Sequence, residues 1–179
     1  MQAVRSVDSG AVLGGSGVNP TVGHRACGAR MKKRLRAGAR LIVDDARRID
    51  LVKSPHIKAD YQLPLKPGSN VAFINACAHV SVTEGLIDEA YVRERCDLPE
   101  FESRARFVAE ERHLPENQQQ FTGLDPQAAR GAARPYAKCG VAGIHSGPAV
   151  TASSLGSTMV MGTADIALAT AYIGQPGPG

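Results

Sequence analysis

The chain has 179 residues, a mass of 18.8 kDa and a net charge of +4, with 43% hydrophobic and 21% charged residues. That length and balance fit one folded domain with a real core and exclude a disordered chain. Aromatic residues make up only 4% and tryptophan is absent, so the core must rest on aliphatic and alanine packing.

Cys27, Cys77, Cys96 and Cys139 are scattered and form no CxxC pair. This argues against a structural zinc or an iron–sulfur cluster built from this chain, and suits reduced thiols in a cytoplasmic setting. His24, His56, His79, His113 and His145 show no ligand spacing. Residues 1–10 lack an apolar targeting core, and no stretch reads as membrane-spanning, so no membrane partner is expected. Much of the basic excess lies between Arg25 and Arg48. It lacks aromatic interleaving and any zinc or RNA-binding signature, so no nucleic-acid partner is expected.

In chain order, residues 11–13 form a short apolar run leading into Gly14-Gly-Ser-Gly17. A strand, a glycine-rich loop and a helix in succession make the usual cradle for a phosphate or nucleotide, although these glycines do not fit GxGxxG. Pro20 sits near a helix start, where its missing N–H does no harm. The following segment, residues 21–37, reads as one basic helix closed by Gly38. Leu41, Ile42 and Val43 then suit a strand buried on both faces of a parallel sheet. Asp44 and Asp45 stand where that strand ends, the place where ligands sit in open α/β sheets. An acid there can accept hydrogen bonds from a ribose or a purine edge, and Arg47 and Arg48 can hold phosphate. A solvated turn with its charges facing water accounts for the same residues equally well.

Residues 61–65 read as a short edge strand, given Pro64. Residues 66–70 form a tight turn in which Ser69 or Asn70 can cap a helix over 71–83. On that helix His79 reads as a packed or surface residue and not as a ligand. Helices follow over 86–96 and 101–108, then a polar turn of helix over 117–121 ending at Gly123. Another helix covers 126–138, with Pro135 awkwardly inside it at a cost of ~3 kcal/mol. Residues 141–144 form a small-residue strand candidate running into a second loop over 146–151. A last helix covers about 154–171, on which Met159, Ile166 and Leu168 read as core. Alternation of short apolar runs with helices predicts an α/β fold: a Rossmann-like, three-layer domain with a mostly parallel sheet flanked by helices.

Several pieces, in this order, resemble one family. They are Gly17-Val-Asn-Pro20, the run from Leu41 to Arg48, Leu65-Lys-Pro-Gly-Ser-Asn70, residues 79–95, residues 147–151 and residues 170–179. Together they resemble the large subunit of molybdopterin-dependent formate dehydrogenases, in the dimethyl-sulfoxide-reductase superfamily. The resemblance implies that residues 1–174 are a domain holding a molybdopterin guanine dinucleotide with molybdenum or tungsten, and that 175–179 are the start of a linker. It implies that Gly17 and Asn19 meet the dinucleotide. It also implies that Asp45, with Arg47 beside it, lies near the guanosine end, under a turn of Gly68, Ser69 and Asn70. Gly147 and Thr151 would lie against the pterin or pyrophosphate.

This sequence departs from the family pattern at Ala46, Ala149, Gln175 and Arg25. The family's cluster cysteines and metal ligand have no counterpart among these four cysteines, so no iron–sulfur cluster and no catalytic residue is assigned to this chain. The implied partners are the remaining domains or subunits of a formate dehydrogenase. The expected function is that of a cofactor-binding portion of an enzyme that oxidises formate, the chain by itself being inactive. The alternatives are a non-catalytic stand-alone nucleotide-binding module and a degenerate truncated product.

Overall fold

The computed structural model describes residues 4–174 apart from His56, with side chains from Val7 onward. His56, Gln175 and the linker expected over 175–179 lie outside the described residues. A 3-10 segment, Val4–Ser9, leads into β1 (Val12–Ser16), α1 (Pro20–Gly23), α2 (Arg25–Arg36), β2 (Arg40–Asp44), α3 (Asp50–Lys53) and β3 (Tyr61–Leu63). After β3 come α4 (Asn70–Thr83), α5 (Glu89–Arg95), α6 (Leu98–Ala109), α7 (Pro115–Thr122) and α8 (Pro126–Lys138). The chain finishes with β4 (Ala142–Ser146), α9 (Pro148–Thr151) and α10 (Gly156–Ala169). The four strands pair in the order β3-β2-β1-β4, all parallel.

Strand alternation sorts the core into two clusters, one on each face of this sheet. Val12, Ile42 and Leu63 point to the side covered by α4, α8 and α10, where Ile74, Val80, Met159 and Ile166 meet them. Leu13, Leu41 and Val43 point the other way, onto Met31 of α2 and Leu51 and Val52 of α3. The expected three-layer α/β architecture is therefore present.

Local chemistry explains where the structure departs from the sequence reading. Gly14 and Gly15 belong to β1 itself, paired on both sides, and only Gly17 turns out of it, with φ +55°. The expected long helix over 21–37 is two helices. His24 breaks it, leaving α-helical geometry and accepting a hydrogen bond on Nδ1 from the Cys27 amide at 3.2 Å. The break lets α1 lie across α2, where a Cβ on Gly28 would sit 2.8 Å from the Pro20 carbonyl. Ser69 occupies the position before α4, but its hydroxyl closes the preceding turn, donating to the Lys66 carbonyl at 2.7 Å.

Pro135 leaves α8 intact. That helix is pinned on both sides of the missing N–H. Arg130 makes a two-pronged pair with Glu116, Arg134 does the same with Glu84, and Tyr136 is buried. Tyr172 then ties the end of α10 to α8, its hydroxyl donating to the Tyr136 carbonyl at 2.5 Å.

Of the two readings of His79, packed or surface, the structure shows the packed one: it is buried and Nδ1 lies 2.8 Å from the Val108 carbonyl. His113 is also buried, its ring tilted at 48° against Phe107 with 4.7 Å between centroids, and neither of its ring nitrogens has a partner. Burial holds its pKa below the usual histidine value, and the charge of Arg112 pushes the same way. In the unfolded chain the imidazole protonates near pH 6.5, while in the folded protein it stays neutral to lower pH. Stability from this site is therefore present above about pH 6.5 and declines as the pH falls below it. Urea titrations of His113→Leu across pH 5–8 are expected to show a flatter acid limb than the parent. Parallel limbs would show that His113 does not contribute.

Candidate functional site

Parallel strands send all their carboxyl ends to one edge, and the loops leaving that edge carry every residue singled out above. Gly17 and Asn19 follow β1, Asp45 and Arg47 follow β2, Gly68, Ser69 and Asn70 follow β3, and Gly147 and Thr151 follow β4. Because β2 and β3 lie on one side of β1 and β4 on the other, the strand order reverses at β1. Crevices at such reversals are where open α/β sheets take ligands.

The β1 and β4 loops touch there. Gly147 donates its N–H to the Ser16 carbonyl at 3.0 Å. A Cβ on Gly147 would stand 2.5 Å from the Gly17 carbonyl oxygen, and one on Gly17 would stand 2.9 Å from Val150 Cγ2. Both glycines are thus required by the packing of the β1 loop on the β4 loop. Gly68, with φ +84°, has open space around it and serves the turn into α4. Thr151 is exposed at the end of α9.

Asp45 is only 6% exposed. Its Oδ1 accepts the backbone N–H of Arg47 at 2.8 Å and Arg47 Nε at 3.4 Å, whereas its Oδ2 is buried without a partner. Arg47 curls back to this carboxylate while remaining 73% exposed, so its guanidinium faces solvent at the crevice. A buried carboxylate oxygen left unbonded costs ~1–3 kcal/mol until a donor reaches it. The solvated-turn reading of Asp45 therefore fails on burial.

The structure adds residues that the sequence did not single out. Asp50, at the start of α3, accepts a hydrogen bond from Asn19 Nδ2 at 3.2 Å, bracing the β1 loop against the β2 loop. Asn19 Oδ1 and Thr21 Oγ1 are left buried and unbonded. His145, near the end of β4, has a buried, unpartnered Nε2, and burial lowers its pKa. No spacing rule finds these residues, because each depends on which loops the sheet brings together.

Asp44 behaves unlike its neighbour. It is the last residue of β2, its side chain turns into the core, and its Oδ2 accepts the Ser16 hydroxyl at 2.7 Å. Burial pushes its carboxyl up to about 7, against the stabilising Ser16 hydroxyl. It belongs to the interior and takes no part in the crevice. Among the described residues there is no cluster of three or more histidine, cysteine or acidic side chains suited to a metal. Nor is any described helix long and apolar enough to cross a membrane.

An all-parallel sheet with one order reversal and helices on both faces defines a doubly wound α/β domain. The chain belongs to the molybdopterin oxidoreductase family, whose profile matches residues 5–179. That family works with a molybdopterin cofactor carrying molybdenum or tungsten. The chain is 33% identical over 177 residues to formate dehydrogenase H of Escherichia coli (strain K12), covering 99% of this chain and 24% of that protein. It is 31% identical over 161 residues to the F420-dependent formate dehydrogenase 1 subunit alpha of Methanococcus maripaludis, covering 90% of this chain and 22% of that protein. Among solved structures, acetylene hydratase from Pelobacter acetylenicus superposes with a TM-score of 0.80 at 20% identity, over 97% of this chain and 24% of that one, a likeness of fold alone. The chain thus spans about a quarter of the length of these proteins.

Proposed function

We propose that the crevice holds the guanosine diphosphate end of a molybdopterin guanine dinucleotide, as the cofactor-binding portion of a formate dehydrogenase. The observation that carries this reading is the buried, half-satisfied carboxylate of Asp45 at the carboxyl end of β2. Such a group suits paired donors on a purine edge or the two hydroxyls of a ribose. Arg47, exposed and anchored at its base, is suited to a phosphate oxygen. Asn19 Oδ1 and the backbone of the Gly17 and Gly147 loops line the same edge, and the turn at Gly68, Ser69 and Asn70 borders it on the β3 side. Thr151 is the outermost contact, toward the pterin or pyrophosphate.

The chemistry that the bound cofactor supplies is the two-electron oxidation of formate to carbon dioxide. This chain's part in it is to hold and orient one end of the group. Similarity to formate dehydrogenases supports the choice of substrate. The partners in this reading are the other domains or subunits of such an enzyme. The setting is cytoplasmic, supported by four free thiols, Cys27, Cys77, Cys96 and Cys139.

Calorimetric titration of GDP tests the reading. Asp45→Ala is expected to weaken binding by about 5- to 150-fold, the range set by losing a partner of a buried polar contact. Equal affinity in the parent and the variant would sink it.

A further inference from the structure

Beneath the sheet, on the side of α4, α8 and α10, lies a cavity of about 60 Å³. It exists because small residues stand where larger ones would fill the layer: Gly14 in the middle of β1, and Ala132 and Ala133 on α8. It reaches the carboxyl ends of β1 and β2 at Ser16 and Asp44 but shares no residue with the carboxyl-edge loops, and core residues under α4, α8 and α10 line the rest, among them Ile144, Met159 and Ile166.

The hydroxyls of Ser16, Ser81 and Thr163 in its wall are already committed, which leaves the Tyr136 hydroxyl buried without a partner. The Ser16 hydroxyl donates to Asp44 at 2.7 Å, the Ser81 hydroxyl to the Cys77 carbonyl at 3.0 Å, and the Thr163 hydroxyl to the Met159 carbonyl at 2.9 Å. What faces the space is almost wholly apolar surface. A buried water needs about two to four polar partners and is poorly served by such a wall. An apolar occupant needs none, and it recovers dispersion contacts that the empty space forfeits. The buried acid also sets a limit. A cation is excluded by the surrounding hydrocarbon, and an anion by Asp44 as well.

We propose that this cavity is a binding site for compact, uncharged apolar molecules of a few heavy atoms, a ligand class distinct from the nucleotide of the crevice. Occupancy stabilises the folded chain by mass action. It requires no movement of the carboxyl-edge loops.

Xenon and cyclopropane serve as probes of the full chain, with acetate as the charged control. Under saturating gas the parent is expected to gain about 2–4 °C in Tm, the response of a domain this size to roughly 1 kcal/mol. The methyl resonances of Ile144, Ile166 and Met159 should move, and acetate should move neither readout. Ala133→Leu places its side chain in the space and is expected to abolish the shift. Thr163→Val removes a hydroxyl the ligand does not use and should keep it. If Ala133→Leu does not fold, Gly14→Ala shrinks the same wall, and a loss of affinity of about threefold or more supports the site. No response in the parent, an undiminished response in Ala133→Leu or Gly14→Ala, or an equal response to acetate overturns the proposal. The GDP titration of the crevice is unaffected by any of these outcomes.

Discussion

Replacing Asp44 by asparagine is expected to remove a loss of stability that the parent suffers between about pH 4 and pH 7. In the unfolded chain this carboxyl gives up its proton near pH 3.9. In the folded protein burial keeps the proton on until about pH 7. Across that window the folded state binds the extra proton, so stability falls as the pH rises and levels off above about 7. About three pH units at 1.36 kcal/mol each set the scale, up to about 4 kcal/mol. The neutral amide still accepts the Ser16 hydroxyl and carries no charge to bury. Urea unfolding at pH 4.5, 6 and 8 reads the difference. The expected result is that the variant gains on the parent steadily with pH, and a constant offset across the three would show that Asp44 ionises freely.

The second large effect is expected from Gly147→Ala. The residue has φ −119°, an ordinary extended value, so a side chain brings no backbone strain there. What it meets is backbone: the Gly17 carbonyl oxygen at 2.5 Å and Val18 Cα at 2.8 Å. No rotamer change relieves that contact, and one loop must withdraw from the other. Overpacking of this kind costs about 1–3 kcal/mol, or about 2–12 °C in Tm for a domain this size. GDP binding should weaken with it, because the contact that gives way lies between the β1 and β4 loops. Gly23→Ala, with nothing within 4 Å of the new methyl, should stay within about 0.5 kcal/mol of the parent. If the two variants melt together, the loops are not packed as described.

Residues 41–43 were legible as a buried strand because three branched aliphatics in a row leave few alternatives, and Tyr61–Leu63 as an edge because proline follows it. Gly14 and Gly15 were not legible as strand. Glycine has no side chain to pack and reads as loop, yet here β1 is held between two neighbours that supply the pairing. The break at His24 depends on Gly28 meeting Pro20 across the turn, a tertiary contact without a local signature. In the site, Asp45 could be found from its position after a strand. The opposite roles of Asp44 and Asp45 follow from the alternation of side chains along β2, which is certain only once the strand's end is fixed. Asp50 and His145 come into play through contacts between distant loops, and a single sequence does not reveal those pairings.

The sheet also dictates an order of events during synthesis. Val12 of the central strand pairs with Arg40 on one side and with Ala142 on the other. Strands β1 to β3 and the α2 layer are therefore available early as a chain emerges from the ribosome. One flank of β1 stays open until nearly the whole domain has been made. An unpaired parallel edge beside glycines is a template for the wrong strand. Closing it late, across so long a separation, is slow. The intervening helices α4–α8 emerge in that interval, and they supply most of the cover for the sheet face onto which α10 finally closes. The nascent chain is thus expected to be most dependent on chaperones between the release of β3 and the docking of β4.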